Sequence, residues 1–180
     1  MEGKEEGNGI NVTTKNITYC TSGMYENALA TAGIKDADII VAGPFNISGT
    51  AALVGAIKSY ENMTGEAVKT ENVETATNEL VVTGKVAESV GDTDKAEQLI
   101  GAVKEQVVEG HAVTAEEIGE VVDKAAQEMS IQLSEEDRQA IVKLMEKIDN
   151  LNLDVDTLKE QAKDLYGKIE DLGLKLDINL

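Results

Sequence analysis

The residues best placed to do chemistry lie in GPFNISGT, residues 43–50, between the apolar run Ala37–Ala42 and a second apolar stretch that begins at Ala51. A loop handing a buried strand to a helix N-terminus can hold an anion on its backbone N–H groups. Gly43, Asn46, Ser48, Gly49 and Thr50 are the residues that would line such a small-anion or small-ligand site. A nucleotide loop of the pattern G-x-x-x-x-G-K-[ST] needs a lysine for the terminal phosphates. Ser48 and Gly49 stand at the Gly and Lys positions, so that charge partner is missing. The competing reading is a structural β-to-α turn in which Ser48 caps the helix. No cofactor follows from these residues.

The other reactive side chains give weaker signals. His111 is the single histidine and follows Gly110 in a loop-like stretch. Neither a second histidine nor a cysteine pair is present to complete a zinc site around it. Cys20 is the single cysteine, has no local activator, and reads as a buried thiol. The acidic run Asp149, Asn152, Asp154, Asp156, Glu160 lacks the central glycine of a calcium loop and reads as a helix connection with capping aspartates. Glu116–Glu117 and Glu135–Glu136 fall in first helical turns, where the macrodipole accounts for them. A hydrolase with carboxylates remains a further reading, since spacing alone does not bring two carboxylates together.

These residues must be positioned by a short α/β unit. Ile10–Thr21 is threonine-rich with partial alternation and reads as one strand, or two joined at Lys15–Asn16. Thr21-Ser22-Gly23 starts a helix with Met24, Ala28, Leu29 and Ala32 inward, stopped by Gly33. Ala37–Ala42 reads as a strand buried on both faces, ended by Gly43-Pro44. Ser48 then opens a helix with Leu53, Ala56, Ile57 and Tyr60 on one face. The order β-α-β-α over about residues 10–65 favours two parallel strands.

The remainder reads as mainly helical. Residues 66–78 are polar and suggest a loop or frayed helix, and Leu80–Thr83 fits either helix or strand, with helix favoured. After the break at Gly91-Asp92-Thr93, Ala96, Leu99, Ile100, Val103 and Val107 mark an amphipathic helix ending near Gly110. Thr114 with Glu117 and Ser134 with Asp137 read as caps of two more helices. A last long helix, capped by Asp154 or Asp156 and ending in the alternating GLKLDINL, would form a hairpin with its predecessor. The expected organisation is a disordered lead-in over 1–9, an α/β core over 10–110, and an acidic helical region over 111–180 packing on or projecting from that core.

Composition sets the partner class. The net charge is −18, with −3 on residues 1–70 and −15 on residues 71–180, which argues against nucleic acid and anionic membrane as partners. With no tryptophan and one phenylalanine, stacking platforms for single strands are also missing. No apolar run approaches the ~18–20 residues of a membrane span, and the polar start MEGKEEGNG is no signal peptide. Four N-x-[ST] sequons, at Asn11, Asn16, Asn46 and Asn62, matter only in a eukaryotic secretory pathway.

The strings NITYCTSGMYENALATAGI, VAGPFNISGTAALVGAIKSYE and NELVVTGKVAE resemble the YpuA-like family of uncharacterised exported proteins from Gram-positive bacteria. The resemblance covers roughly residues 10–150. It implies a cell-envelope or extracellular setting, and a chain that corresponds to a mature or truncated form without the family's N-terminal segment. It carries over no catalytic residue. The expected function is a non-enzymatic binding or interaction module whose partner is a protein or envelope component, with self-association through the C-terminal helices as one route.

Overall fold

In the computed structural model, residues 1–3, 8–110, 112–156 and 158–159 are described. The elements follow as β1 (Glu2–Gly3), β2 (Ile10–Ile17), α1 (Ser22–Thr31), β3 (Ala37–Ile47), α2 (Ala52–Thr64), α3 (Thr70–Val90), α4 (Thr93–Val108), α5 (Ala115–Glu128) and α6 (Glu135–Asp149). The class is mixed α/β with a helical C-terminal half, as the sequence pattern indicates.

The sheet runs β1-β3-β2. β2 and β3 are parallel, from Ile10 opposite Ala37 to Lys15 opposite Ala42. Glu2 and Gly3, expected in the flexible lead-in, instead pair antiparallel with Asp38 and Ala37. Ile10, Val12, Ala37, Ile39 and Val41 point into the core, whereas Asn11, Thr13, Ile40 and Ala42 are exposed. Ile40 is 73% exposed. The expectation of a strand buried on both faces is therefore corrected: among the described residues, the helices of this unit cover one face of the sheet and leave the other open.

Gly43-Pro44 does not end β3 either. Pairing lapses after Ala42 and resumes at Ile47, opposite Ile17, so residues 43–46 bulge from the strand. Asn16, at φ 59°, makes the matching irregularity in β2 and donates from Nδ2 to the Gly43 carbonyl at 2.8 Å. Pro44 is tolerated because β1 covers only the start of β3 and the rest of that edge makes no ladder demand for an N–H.

The helix starts follow side-chain caps. Thr21, Asp92, Thr114 and Ser134 each accept from a backbone N–H in the following turn, and Thr114 with Glu117 forms a full capping box. Leu80–Thr83 is helical, within α3. That helix begins at Thr70, so most of the polar stretch 66–78 is helix; Val73, Ala76 and Leu80 supply its apolar stripe.

Two apolar clusters result. One lies under the sheet and includes Met24, Tyr25, Leu29, Ile39, Leu53, Ile57 and Leu80. The other fills the bundle of α4, α5 and α6 and includes Val86, Leu99, Ile118, Val122, Ile141 and Leu144. The clusters change over within α3, between Leu80 and Val82. After α6 the chain returns to the first cluster, where Leu158 is buried. Lys35 pairs with Asp154 at 2.8 Å and Lys159 with Glu109 at 2.6 Å. The rest of the expected last helix and the tail GLKLDINL lie outside the described residues.

Candidate functional site

Of the five residues of the expected loop site, Gly43, Ser48 and Gly49 are held through their carbonyls. The Ser48 carbonyl accepts from Cys20 N at 3.1 Å, and the Gly49 carbonyl accepts from Ala52 N at 2.9 Å. Tyr25, fully buried on α1, donates its hydroxyl to the Gly49 carbonyl at 2.5 Å. Gly49 sits at φ 91°, and a Cβ there would meet Tyr25 and Ile17. At Gly43 a Cβ would fall 2.6 Å from the Phe45 carbonyl oxygen. Gly43 and Gly49 are buried, while Asn46, Ser48 and Thr50 are exposed.

Ser48 is not the cap of α2. The cap position is Ala51, which makes no side-chain bond. The positive φ of Gly49 turns the chain before the helix begins, and Ser48 is drawn into extended pairing with Cys20. The expected strand–serine cap–helix geometry is thus replaced by a strand, a glycine turn and an uncapped helix.

The sheet's carboxyl end carries a cleft that the loop does not line. It has a volume of about 420 Å³ and lies between the end of β2, the first turn of α1 and the first turns of α4. Thr14, Thr18, Thr21 and Ser22 contribute hydroxyls, Asp94 and Glu97 carboxylates, and Gln98 an amide. Thr21 donates its hydroxyl to Glu97 Oε2. The Glu97 carboxylate also rests against Gly23, where a Cβ would lie 2.6 Å from Glu97 Cδ. The N-terminus of α1 is therefore occupied by the protein's own carboxylate, which the helix dipole favours. Glu97 and Gln98 follow Ala96 and precede Leu99 and Ile100, so they sit at the margin of the apolar stripe of α4. That polar pair beside an apolar stripe was the available sequence signal.

A second polar cluster is buried where α1, α3 and α4 meet. Lys104 Nζ donates to Glu79 Oε1 at 2.8 Å, to the Asn27 carbonyl at 2.8 Å and to Thr31 Oγ1 at 3.2 Å. Thr31 Oγ1 donates to Glu79 Oε2 at 2.5 Å, and Asn27 Nδ2 donates to the Glu97 carbonyl at 3.1 Å. The Glu79 side chain is 0% exposed and that of Lys104 3%. An enclosed ion pair with its remaining donors and acceptors filled is a structural tie. Lys104 stands four residues after Ile100 and three before Val107, inside the apolar stripe, which is where sequence could have shown it.

Cys20 is buried, as expected, and burial pushes its thiol up, partly offset by its hydrogen bond with Tyr25. A raised thiol is a poor nucleophile at neutral pH. Asp154 of the acidic run is tied to Lys35. Among the described residues no group of three or more His, Cys, Asp or Glu side chains is arranged to hold a metal ion. His111 lies outside the described residues.

Among the described residues no helix is long and apolar enough to cross a membrane. No solved structure matches the chain. The chain is 37% identical over 166 residues to the uncharacterized protein YpuA of Bacillus subtilis (strain 168). The match covers 92% of this chain and 57% of that relative, so the chain spans less than two thirds of the relative's length. The family described as protein of unknown function DUF1002 matches residues 1–165, and with that coverage the chain belongs to this family.

Proposed function

We propose that the chain is a non-enzymatic binding module of the bacterial cell envelope or extracellular space, and that it takes up an extended polypeptide strand along β3. The observation that carries this reading is a stretch of β3 that β1 covers for only two residues, flanked by exposed apolar side chains: Ile40, 73% exposed on the open sheet face, and Phe45, 70% exposed in the bulge that follows. Ala37 N donates toward β2, to the Gly9 carbonyl at 3.0 Å. Main-chain groups alternate in direction along a strand, so those of Asp38, Ile40 and Ala42 point the other way. β1 pairs with Asp38; Ile40 and Ala42 lie beyond its two residues. A partner strand antiparallel to β3 would continue the β1–β3 ladder along that edge, the usual mode of strand addition. A net charge of −18 favours basic side chains on the partner. The envelope setting is what the resemblance of the sequence to the YpuA-like family of exported proteins implies.

Native mass measurement combined with retention of polypeptides from wall extracts tests the proposal. Ala42→Pro removes an outward N–H that the native ladder does not use, and Ile40→Lys charges the edge. Both variants are expected to melt close to the unmodified chain and to lose the retained polypeptide. A strict monomer that retains nothing, or retention unchanged in both variants, overturns it.

A further inference from the structure

We propose that the cleft between β2, α1 and α4 is a binding site for a small cationic ligand that carries a primary ammonium and several hydroxyl or carbonyl groups. This site is separate from the β3 edge and does not depend on it.

Three observations point to that chemistry. The cleft is a cavity of about 420 Å³ at the carboxyl end of a parallel strand, the end at which α/β folds commonly bind ligands. Its titratable acids are Asp94 and Glu97, and among the described residues no lysine, arginine or histidine lines it. Glu97 is 8% exposed and forms part of the cleft wall. Finally, Gln98 lines the cleft, is 5% exposed, and has no hydrogen-bond partner among the described residues. Buried amides are ordinarily satisfied, and one that meets no protein partner is open to a bound group. A glutamine amide offers both N–H donors and a carbonyl acceptor, which suits a hydroxyl or carbonyl of the ligand.

The division of labour follows from position. Asp94 is exposed at the rim, in the first turn of α4, and meets the ammonium first. Glu97 lies deeper, where it accepts from the Thr21 hydroxyl and shapes the floor of the cleft. Ser22 presents a hydroxyl that can donate or accept, whereas the Thr18 hydroxyl already donates to the Ile47 carbonyl and can only accept. No bond is made or broken; the site recognises and holds.

Calorimetric titration of the whole chain with glucosamine tests this, with N-acetylglucosamine and calcium chloride as comparison ligands. Glucosamine is expected to bind and its neutral N-acetyl derivative to bind about tenfold more weakly or not at all. Asp94→Asn and Gln98→Leu are each expected to weaken glucosamine about tenfold. Neither change is expected to harm folding, because Asp92 rather than Asp94 caps α4 and Gln98→Leu removes a buried polar group rather than orphaning one. Melting curves of the free variants verify that. Absence of glucosamine binding, equal binding of the neutral derivative, binding of calcium alone, or unchanged affinity in both folded variants overturns the proposal.

Discussion

Under the sheet, Met24, Tyr25, Leu29, Ile39 and Ile57 come together from two helices and a strand, and Tyr25 reaches across to a loop carbonyl. In the bundle, Leu99, Ile118, Val122, Ile141 and Leu144 come from three consecutive helices with aliphatic side chains throughout. Between the two lies a buried polar seam: Asn27, Thr31, Glu79, Glu97 and Lys104. The bundle is thus held by local amphipathic faces and caps. The α/β unit depends on contacts between residues far apart in sequence, and its outer sheet face is left uncovered by the described residues. The seam joins them by directional bonds, which fix how one unit sits on the other in a way that apolar contact alone does not.

Removing one partner of the seam should have the largest effect. Glu79→Ala leaves Lys104 enclosed without its counter-charge, and a loss of about 3–5 kcal/mol is expected in denaturant unfolding. Glu79→Leu combined with Lys104→Met should recover most of that loss. A double variant no more stable than the single one would show that the two units are not joined through this pair.

A truncation inside the bundle comes next. Leu144 is fully buried, and Leu144→Ala should cost about 3 kcal/mol through lost burial and the cavity left behind. Amide hydrogen exchange should accelerate in α4, α5 and α6 more than in β2 and β3. Equal acceleration in both units would erase the distinction between them.

The capping box of α5 offers a smaller and strictly local probe. Thr114→Ala should cost about 1 kcal/mol, read as a shift of the urea midpoint with an unchanged slope.

The smallest effect is electrostatic. Arg138 binds Asp123 through two bonds, at 2.7 and 2.8 Å, linking α6 to α5. The guanidinium holds the Asp123 carboxyl below its usual range. A depressed carboxylate pKa adds stability above the unfolded value, and that stability is lost as pH falls through the folded value. The pair is largely exposed, so only a few tenths of a kcal/mol are expected. The stability difference between the unmodified chain and Asp123→Asn should be seen near neutral pH and close as the solution is acidified below the carboxylate range. A difference independent of pH would assign the effect to packing.

Much of the architecture was legible because it is written locally. Thr114-x-x-Glu117, Ser134-x-x-Asp137, Gly33 and Gly91 mark helix ends through bonds that span a few residues, and they stand where the sequence pattern places them. The parallel pairing of β2 with β3 follows from β-α-β order. The loop at 43–50 was read less well. Its helix cap depends on whether Ser48 is free to turn inward, and pairing with Cys20 decides otherwise. The cleft was not read at all, because Thr18 and Ser22 meet Asp94 and Gln98 only after α1, β3, α2 and α3 have been laid down between them.

The sequence by itself determined the starts of α1, α4, α5 and α6, the aliphatic cores, the strongly acidic composition and the lack of a nucleotide loop, because each depends on residue type and short-range spacing. Tertiary structure alone decided that β3 has an open face, that Lys104 and Glu79 form an enclosed pair, and that the polar residues of β2, α1 and α4 line one cleft. Those outcomes rest on which surfaces meet after chain crossover, and neither periodicity nor composition contains that distance information.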